Sequence, residues 1–427
     1  MNQLREMPVP RLAVPMPERG ARMPCFVDAP EDAAQQLATK RIVVVGCGSV
    51  GMRFAEHLVR VGIGAIDAID PKEFKAESLA THPICADAVG RSKAASVAAL
   101  CKSISPETRV RWYTGSVQDL SLVEFIGADA VVMATDNLAV EVYVGQLCTH
   151  LGLPLFQASV LGETLTAELR SFENKDGHGP CPTCSFTADE WAALNSETTF
   201  TCSGEPSASS APIISGPPTM SISALCSMAA DLASIEILKH MLAFGPIVTN
   251  CVVSYSGYTQ KSFSTALTHS SACPCEHTRY RILRPTGSAK SLSLNDLLIQ
   301  SRIANQDLHA IDVKLDGLRY VDQSFCACGT TSPVQRFVLA GTLCAACPSC
   351  GGTMREDPYY THTSVTLNSV GRRIYVPLRE ICPEQKPDYI LIRRGDSGVL
   401  VLTDGINTWG STSPGGIHDD SASRKIG

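Results

Sequence analysis

No apolar run in this sequence reaches the roughly 20 residues that span a bilayer, and its N-terminus lacks the basic-then-apolar pattern of an export signal. The expectation is a cytoplasmic protein with no membrane partner. Runs of Lys or Arg are missing too. With 36 Lys and Arg against 42 Asp and Glu, the net charge is -6 and the pI near 5.9, which argues against an extended nucleic-acid surface. Small molecules and proteins fit better as partners. Cysteine is the opposite case, with 18 in 427 residues. A chain this long can bury a large core in two or three domains without disulfide staples, so close Cys pairs point to metal or catalysis.

The chain is organised around Arg41-Ile42-Val43-Val44-Val45-Gly46-Cys47-Gly48-Ser49-Val50-Gly51. Ile42 to Val45 are apolar without alternation, as in a parallel strand covered on both faces, and Met52 to Val61 carry apolar residues at helical spacing. The pattern predicts a strand, a glycine-rich turn and a helix. Gly46 permits the tight turn, Gly48 lets the backbone approach a phosphate, and Gly51 allows close packing of the helix, whose N-terminal N–H groups face the anion. A second strand, 64–69, ends in Asp70, about twenty residues past Gly51, where a carboxylate meets a ribose hydroxyl. The bland alternative is a tight turn in an α/β domain that binds no nucleotide.

Residues 1–36 hold Pro8, Pro10, Pro15, Pro17 and Pro24 and read as an extended or disordered arm. From Lys40 to Phe156, strands at 41–45, 64–69, 109–113 and 129–134 alternate with helices, one of them at 92–102. The alternation predicts an α/β fold with a doubly wound, Rossmann-like parallel sheet, whose carboxyl edge is where ligands bind. Asp70 and Thr135-Asp136-Asn137 both fall at strand ends on that edge. Lys93 follows Val89-Gly90-Arg91-Ser92 into the first turn of a helix. A cation is disfavoured there by the helix dipole, so it either invites a compensating phosphate or is a solvated surface lysine. Asp136 either caps the next helix or holds Mg2+ against phosphates.

Cys181-Pro182-Thr183-Cys184 is a knuckle that supplies half of a tetrahedral Zn2+ site. Its candidate partner is Cys273-Pro274-Cys275, one residue short of a regular pair, and His277 can replace one of those thiols; free buried thiols are the alternative. Between the pairs, residues 198–218 are dense in Ser, Thr, Pro and Gly and lead into a helix at 220–240. Cys202 lies in that loop with no Lys, Arg or His beside it, and reads as a nucleophile or as an ordinary loop cysteine. Cys226 and Cys251 sit in apolar patterns and read as core. Beyond Thr286, a helix at 294–303 precedes Cys326-Ala327-Cys328-Gly329 and Cys347-Pro348-Ser349-Cys350-Gly351. Two knuckles joined by a strand at 334–339 predict a zinc ribbon, with Cys344 a spare thiol or alternative ligand. Strands at 373–377, 389–393 and 398–402 complete a C-terminal β-rich module. The domains expected are the arm (1–36), an α/β domain (37–285) containing the 198–218 loop, the zinc-ribbon module (286–405) and a disordered tail (406–427).

Taken in order, Gly46-x-Gly48-x-x-Gly51, Arg60-Val61-Gly62-Ile63-Gly64, Asp70, Val89-Gly90-x-x-Lys93, Ser105-Pro106 and Thr135-Asp136-Asn137 resemble the ThiF/MoeB-type adenylyltransferases, which activate ubiquitin-like and sulfur-carrier proteins. The resemblance runs from residue 41 to about 285. It implies that ATP is the nucleotide, bound by the glycine turn, Asp70 and Asn137, with Lys93 on the phosphates and Asp136 on the escorting Mg2+. It also implies that Cys202 occupies the position of the nucleophilic or sulfur-carrying cysteine on the family's crossover loop. The family's Asn-Leu-x-Arg-His/Gln segment is Ser78-Leu79-Ala80-Thr81-His82 here, so Thr81 stands where the phosphate-binding arginine would be. Lys72, Lys75, Arg53 and Arg91 are the candidate substitutes.

The function expected is ATP-dependent activation of a ubiquitin-like protein, through an acyl adenylate and then a thioester on Cys202, with transfer to a conjugating-enzyme-like carrier. The resemblance leaves room for a homodimer. The extra C-terminal module and the altered Ser78–His82 segment favour the activators of bacterial ubiquitin-like conjugation operons, some linked to antiviral defence, over thiamine or molybdopterin enzymes. Three rivals stand beside this reading. One is a sulfur-carrier adenylyltransferase with Cys202 as sulfur acceptor, and another an inactive scaffold that binds a ubiquitin-like partner. The last, an NAD-dependent reductase, gives Lys93, Asp136 and the zinc pair no reason to be present.

Overall fold

The alternating segments of the first half assemble, in a computed structural model of the chain, into one nine-stranded sheet. The residues described are 3–8, 28–175, 177, 179–196, 221–303, 307–342, 345–383 and 386–407. They fall into two units, Met1–Arg279 and Tyr280–Gly427. Cys202 with the 198–218 loop, Cys344, and the tail from residue 408 lie outside the described residues.

In the first unit the strands are β1 (Arg5–Glu6), β2 (Arg41–Val45), β3 (Ala65–Ile69), β4 (Arg109–Tyr113), β5 (Ala130–Met133), β6 (Leu155–Leu161), β7 (Thr166–Phe172), β8 (Cys251–Ser256) and β9 (Lys261–Ala266). The helices are α1 (Ala33–Thr39), α2 (Ser49–Arg60), α3 (Lys93–Ile104), α4 (Leu138–Leu151), α5 (Ala188–Ser196) and α6 (Ser223–Leu242). The strand order is β1-β4-β3-β2-β5-β6-β7-β8-β9. Strands β4, β3, β2, β5 and β6 are parallel, as expected, but β1 and the run β7 to β9 are antiparallel, so the sheet is mixed rather than parallel throughout. For β7 the connection decides this. Only the segment 162–165 joins β6 to β7, too short for the crossover that a parallel neighbour requires.

Strand β2 lies at the centre, and Ile42, Val43 and Val44 are buried on both faces. Val45 pairs with Ile69 of β3 and with Met133 of β5, which brings the carboxyl ends of the three strands level. On one face α2 buries Val50, Phe54, Ala55, Leu58 and Val59, the helical spacing read from the sequence. Helix α6 packs beside it through Cys226, Ala229, Ala230 and Ala233, whose small side chains allow a close approach.

The second unit has its own core, including Leu297, Ile311, Leu315, Leu378 and Ile390, all fully buried. One sheet joins Arg281–Leu283, Ser397–Leu402, Tyr389–Arg394, Asp312–Leu315 and Val365–Thr366; another joins Leu318–Phe325 to Thr331–Leu339 and Thr353–Glu356. The strand expected at 373–377 is instead a 3-10 helix, Gly371–Tyr375. Gly371 starts it at φ +62° and Pro377 follows it, and only Ile374 of the run is buried, so no pleated face is available to pair. Ile406–Asn407 pairs in parallel with Gly287–Ser288, at the start of what was read as tail. Among the described residues no helix is long and apolar enough to cross a membrane.

Candidate nucleotide crevice and thiolate clusters

The turn after β2 is wedged under the end of β5. A Cβ on Gly46, where φ is +92°, would lie 2.4 Å from the Ala134 carbonyl oxygen, and one on Gly51 would lie 1.9 Å from the Gly46 carbonyl oxygen. Neither position tolerates a side chain. At Gly48 a Cβ would meet only His82 Nε2, at 3.7 Å. The turn is therefore packed on its protein side and spacious at Gly48, where α2 begins and its first N–H groups lack helical partners.

Asp70 follows β3 and is locked in place. Its Oδ2 accepts from the Cys47 N–H at 2.8 Å and its Oδ1 from the Lys72 N–H at 2.8 Å. Burial raises the carboxyl's pKa while those two amides and the Lys93 ammonium pull it down. The Cys47 thiol between the glycines is fully buried and pushed well up by that burial, so it is a packing group rather than a nucleophile.

Lys93 opens α3, where the Ser92 Oγ cap accepts from the Ala95 N–H at 3.3 Å. Its Nζ lies 3.4 Å from His82 Nε2 and 5.8 Å from the Phe74 ring centroid. The His82 ring stands edge-on to Phe74, and its Nδ1 is 3.0 Å from Thr81 Oγ1. Burial, then the Lys93 ammonium, pull the imidazole down to about 4. Past β5, Asn137 Oδ1 accepts from the Val140 N–H at 3.0 Å and so caps α4. The capping duty considered for Asp136 thus falls to its neighbour, and Asp136 is exposed at the strand end. Two groups here carry no signal in the sequence: the pairing of His82 with Lys93, and the burial of Glu141, on α4 beside Gln157, which pushes its carboxyl up to about 7.

The cysteines form two clusters, each with its four ligand atoms within 4.8 Å of one another. In the first, Cys181 Sγ is 3.8 Å from Cys184 Sγ and 3.8 Å from Cys273 Sγ, and His277 Nε2 is 3.5 Å from both Cys181 and Cys184. Zinc–sulfur bonds of ~2.3 Å and zinc–nitrogen bonds of ~2.0 Å in a tetrahedron would set sulfurs about 3.8 Å apart and nitrogen about 3.5 Å from sulfur. The match is close. His277 Nδ1 bonds the Gly179 carbonyl oxygen at 2.9 Å, which aims Nε2 at the thiols. His277, rather than the expected Cys275, completes the set of four ligand atoms that could hold one ion. Cys275 stays beside the set, its thiol drawn down to about 6, first by a hydrogen bond from Cys181. The second cluster is Cys326, Cys328, Cys347 and Cys350, with Sγ distances of 3.5 Å for Cys326–Cys350 and 3.7 Å for Cys328–Cys347.

A nucleotide-shaped turn on an α/β sheet with a thiolate knuckle defines a class, and comparison with known proteins gives the family. Residues 21–276 match the ThiF family model, and the chain belongs to the ThiF family, the adenylyltransferases to which its motifs pointed. It is 29% identical over 156 residues to the SAMP-activating enzyme E1 of Haloferax volcanii, covering 35% of this chain and 55% of that protein. It is 30% identical over 153 residues to the mouse adenylyltransferase and sulfurtransferase MOCS3, covering 35% of this chain and 32% of that one. The chain thus spans about half of the first relative and about a third of the second. A solved structure of E. coli MccB with ATP is 18% identical, with a TM-score of 0.45 over 57% of this chain and 68% of its own.

Proposed function

We propose that this protein adenylates the C-terminal carboxylate of a ubiquitin-like protein and then carries it as a thioester. The observation that best supports this is the gathering of the glycine turn, the locked Asp70 and Lys93 around the level ends of β2 and β3. In the first step a carboxylate oxygen of the partner attacks the α-phosphorus of ATP; the bond to the β-phosphate breaks and pyrophosphate leaves. The N–H groups opening α2 and the Lys93 ammonium face the charge on the phosphates, with little reorganisation needed as it shifts. Asp70, held by two backbone amides, accepts a ribose hydroxyl. Asp136 is the residue that would hold Mg2+, whose chemistry is to neutralise phosphate charge.

In the second step the Cys202 thiolate attacks the activated carbonyl and AMP leaves, which divides one hard acyl transfer into two easier ones. A conjugating-enzyme-like carrier is the next acceptor. Both thiolate clusters have the donors and spacing for structural Zn2+. The test is incubation with Mg-ATP and candidate ubiquitin-like proteins, followed by non-reducing gels. A thiol-sensitive adduct that disappears in Cys202→Ala while pyrophosphate exchange persists is the expected result. An adduct that survives Cys202→Ala moves the nucleophile elsewhere, and absence of exchange with every candidate contradicts adenylation and favours a scaffold. A second reading, activation of a sulfur carrier, draws on the relatives named adenylyltransferase and sulfurtransferase; with sulfide added, attack of the sulfide on the adenylate carbonyl expels AMP and leaves a thiocarboxylate in place of the thioester.

A further inference from the structure

We propose that His82 is a phosphate-binding residue of the nucleotide crevice, acting with Lys93 as a pair of donors on one anion. The inference rests on the adenylation reading and names the group that serves where Thr81 leaves no arginine. Three observations place it. A Cβ at Gly48, the position where the turn is spacious, has His82 Nε2 as its only neighbour, at 3.7 Å. Lys93 Nζ is 3.4 Å from the same nitrogen. Phe74, beneath both groups, lies edge-on to the imidazole and under the ammonium. Two nitrogens thus converge beside the glycine turn, close enough together to reach one anion bound there.

Of the other cations considered for the role, three have a side-chain partner. Arg53 Nη2 donates to Ser223 Oγ on α6 at 2.7 Å, Arg91 pairs with Asp87 at 3.0 Å, and Lys75 pairs with Glu77 at 3.8 Å. Lys72 is exposed, and its backbone N–H serves Asp70.

The chemistry follows from the inventory of donors. A lysine ammonium only donates, so in the free protein His82 Nε2 is the acceptor, and the ring proton on Nδ1 faces Thr81 Oγ1. When a polyphosphate arrives, Lys93 turns to it and the ring takes one proton from solvent at Nε2, becoming an imidazolium that donates to a phosphate oxygen. The charged groups facing this exchange are Lys93 from α3 and, across Lys93, Asp70 and Lys72 from the loop after β3. Binding ATP therefore takes up a proton, and affinity rises as the pH falls.

Equilibrium binding of ATP and of adenosine, measured from pH 8 to 6 with wild type, His82→Ala, His82→Gln and Lys93→Ala, tests this. His82→Ala should weaken ATP about tenfold or more, the scale of one charge-assisted hydrogen bond, and leave adenosine unchanged. His82→Gln, which offers an N–H but cannot take up the proton, should recover part of the affinity and lack the extra pH dependence of wild type. Wild-type ATP affinity in His82→Ala overturns the assignment, as does an equal loss for ATP and adenosine in both His82 variants, which would mean a structural role. A wild-type protein that binds adenosine but not ATP, or neither, contradicts the adenylation reading itself, a failure visible before any variant is compared.

Discussion

The two cysteine clusters gather their ligand atoms at different reach. The second closes a short local loop, with Cys326 and Cys350 separated by 24 positions, and two of its thiols are exposed. The first ties Cys181 to His277 across 96 positions and is more buried. A loop four times longer costs about 1 kcal/mol more to close, so the first cluster constrains more of the unfolded chain. It also touches the crevice through α4. A Cβ on Gly145 of that helix would come within 2.7 Å of Pro182 Cδ in the Cys181–Cys184 knuckle, and α4 starts next to Asp136 and Asn137. The first cluster thus packs against the helix that borders the proposed nucleotide site, whereas the second lies at the turn of the hairpin that carries it.

Cys181→Ser is the largest break in that comparison. Loss of the first cluster should lower the melting midpoint of the first unit by about 10 °C, remove one of two bound zinc ions, and weaken ATP. Calorimetry and elemental analysis read this out; a zinc content unchanged by the substitution would mean that this cluster binds no metal. Gly145→Ala sharpens the point without touching a ligand. The added methyl must displace Pro182, which should cost about 1 to 3 kcal/mol, visible as a shift in denaturant midpoint with zinc content kept.

A smaller effect comes from Glu141 on the same helix. Burial holds its carboxyl near 7 in the folded protein, above its ordinary value near 4.5, so the folded state binds more protons between those pH values. Its contribution to stability is full below pH 4.5 and lost as pH rises through 7. Glu141→Gln should flatten that slope and stabilise the protein at pH 8 by on the order of 1 kcal/mol. Denaturant titrations at pH 5 and 8 check it, and a slope equal to wild type would assign the pH dependence to other groups. Smallest of all, Cys328→Ser should release the second zinc and leave the first unit's midpoint and ATP affinity unchanged; a matching loss of ATP affinity would contradict the separation of roles.

What could be read in the sequence was local. The run Ile42–Val45, the three glycines and the helical spacing of α2 are contiguous, and each residue's reason is visible within a turn of its neighbours. Pairing partners were harder. Thr166–Phe172 alternates, burying Ala167 and Leu169, but nothing local names its antiparallel partners, so the alternation of the first half predicts only the parallel part of the sheet. The choice between Cys275 and His277 turned on where Nε2 falls relative to two distant sulfurs, which spacing along the chain cannot reveal. For the same reason His82 was invisible as a partner of Lys93, since the two meet only because the loop after β3 folds back over the start of α3.

The proposed adenylation at the glycine turn, Asp70, Lys93 and Asp136 is tested most directly by ATP–pyrophosphate exchange in the presence of a cognate ubiquitin-like protein, comparing wild type with Asp136→Ala and verifying folding by circular dichroism. Exchange in the wild type and its loss in a folded Asp136→Ala is the expected result. Undiminished exchange in the folded variant would contradict the account.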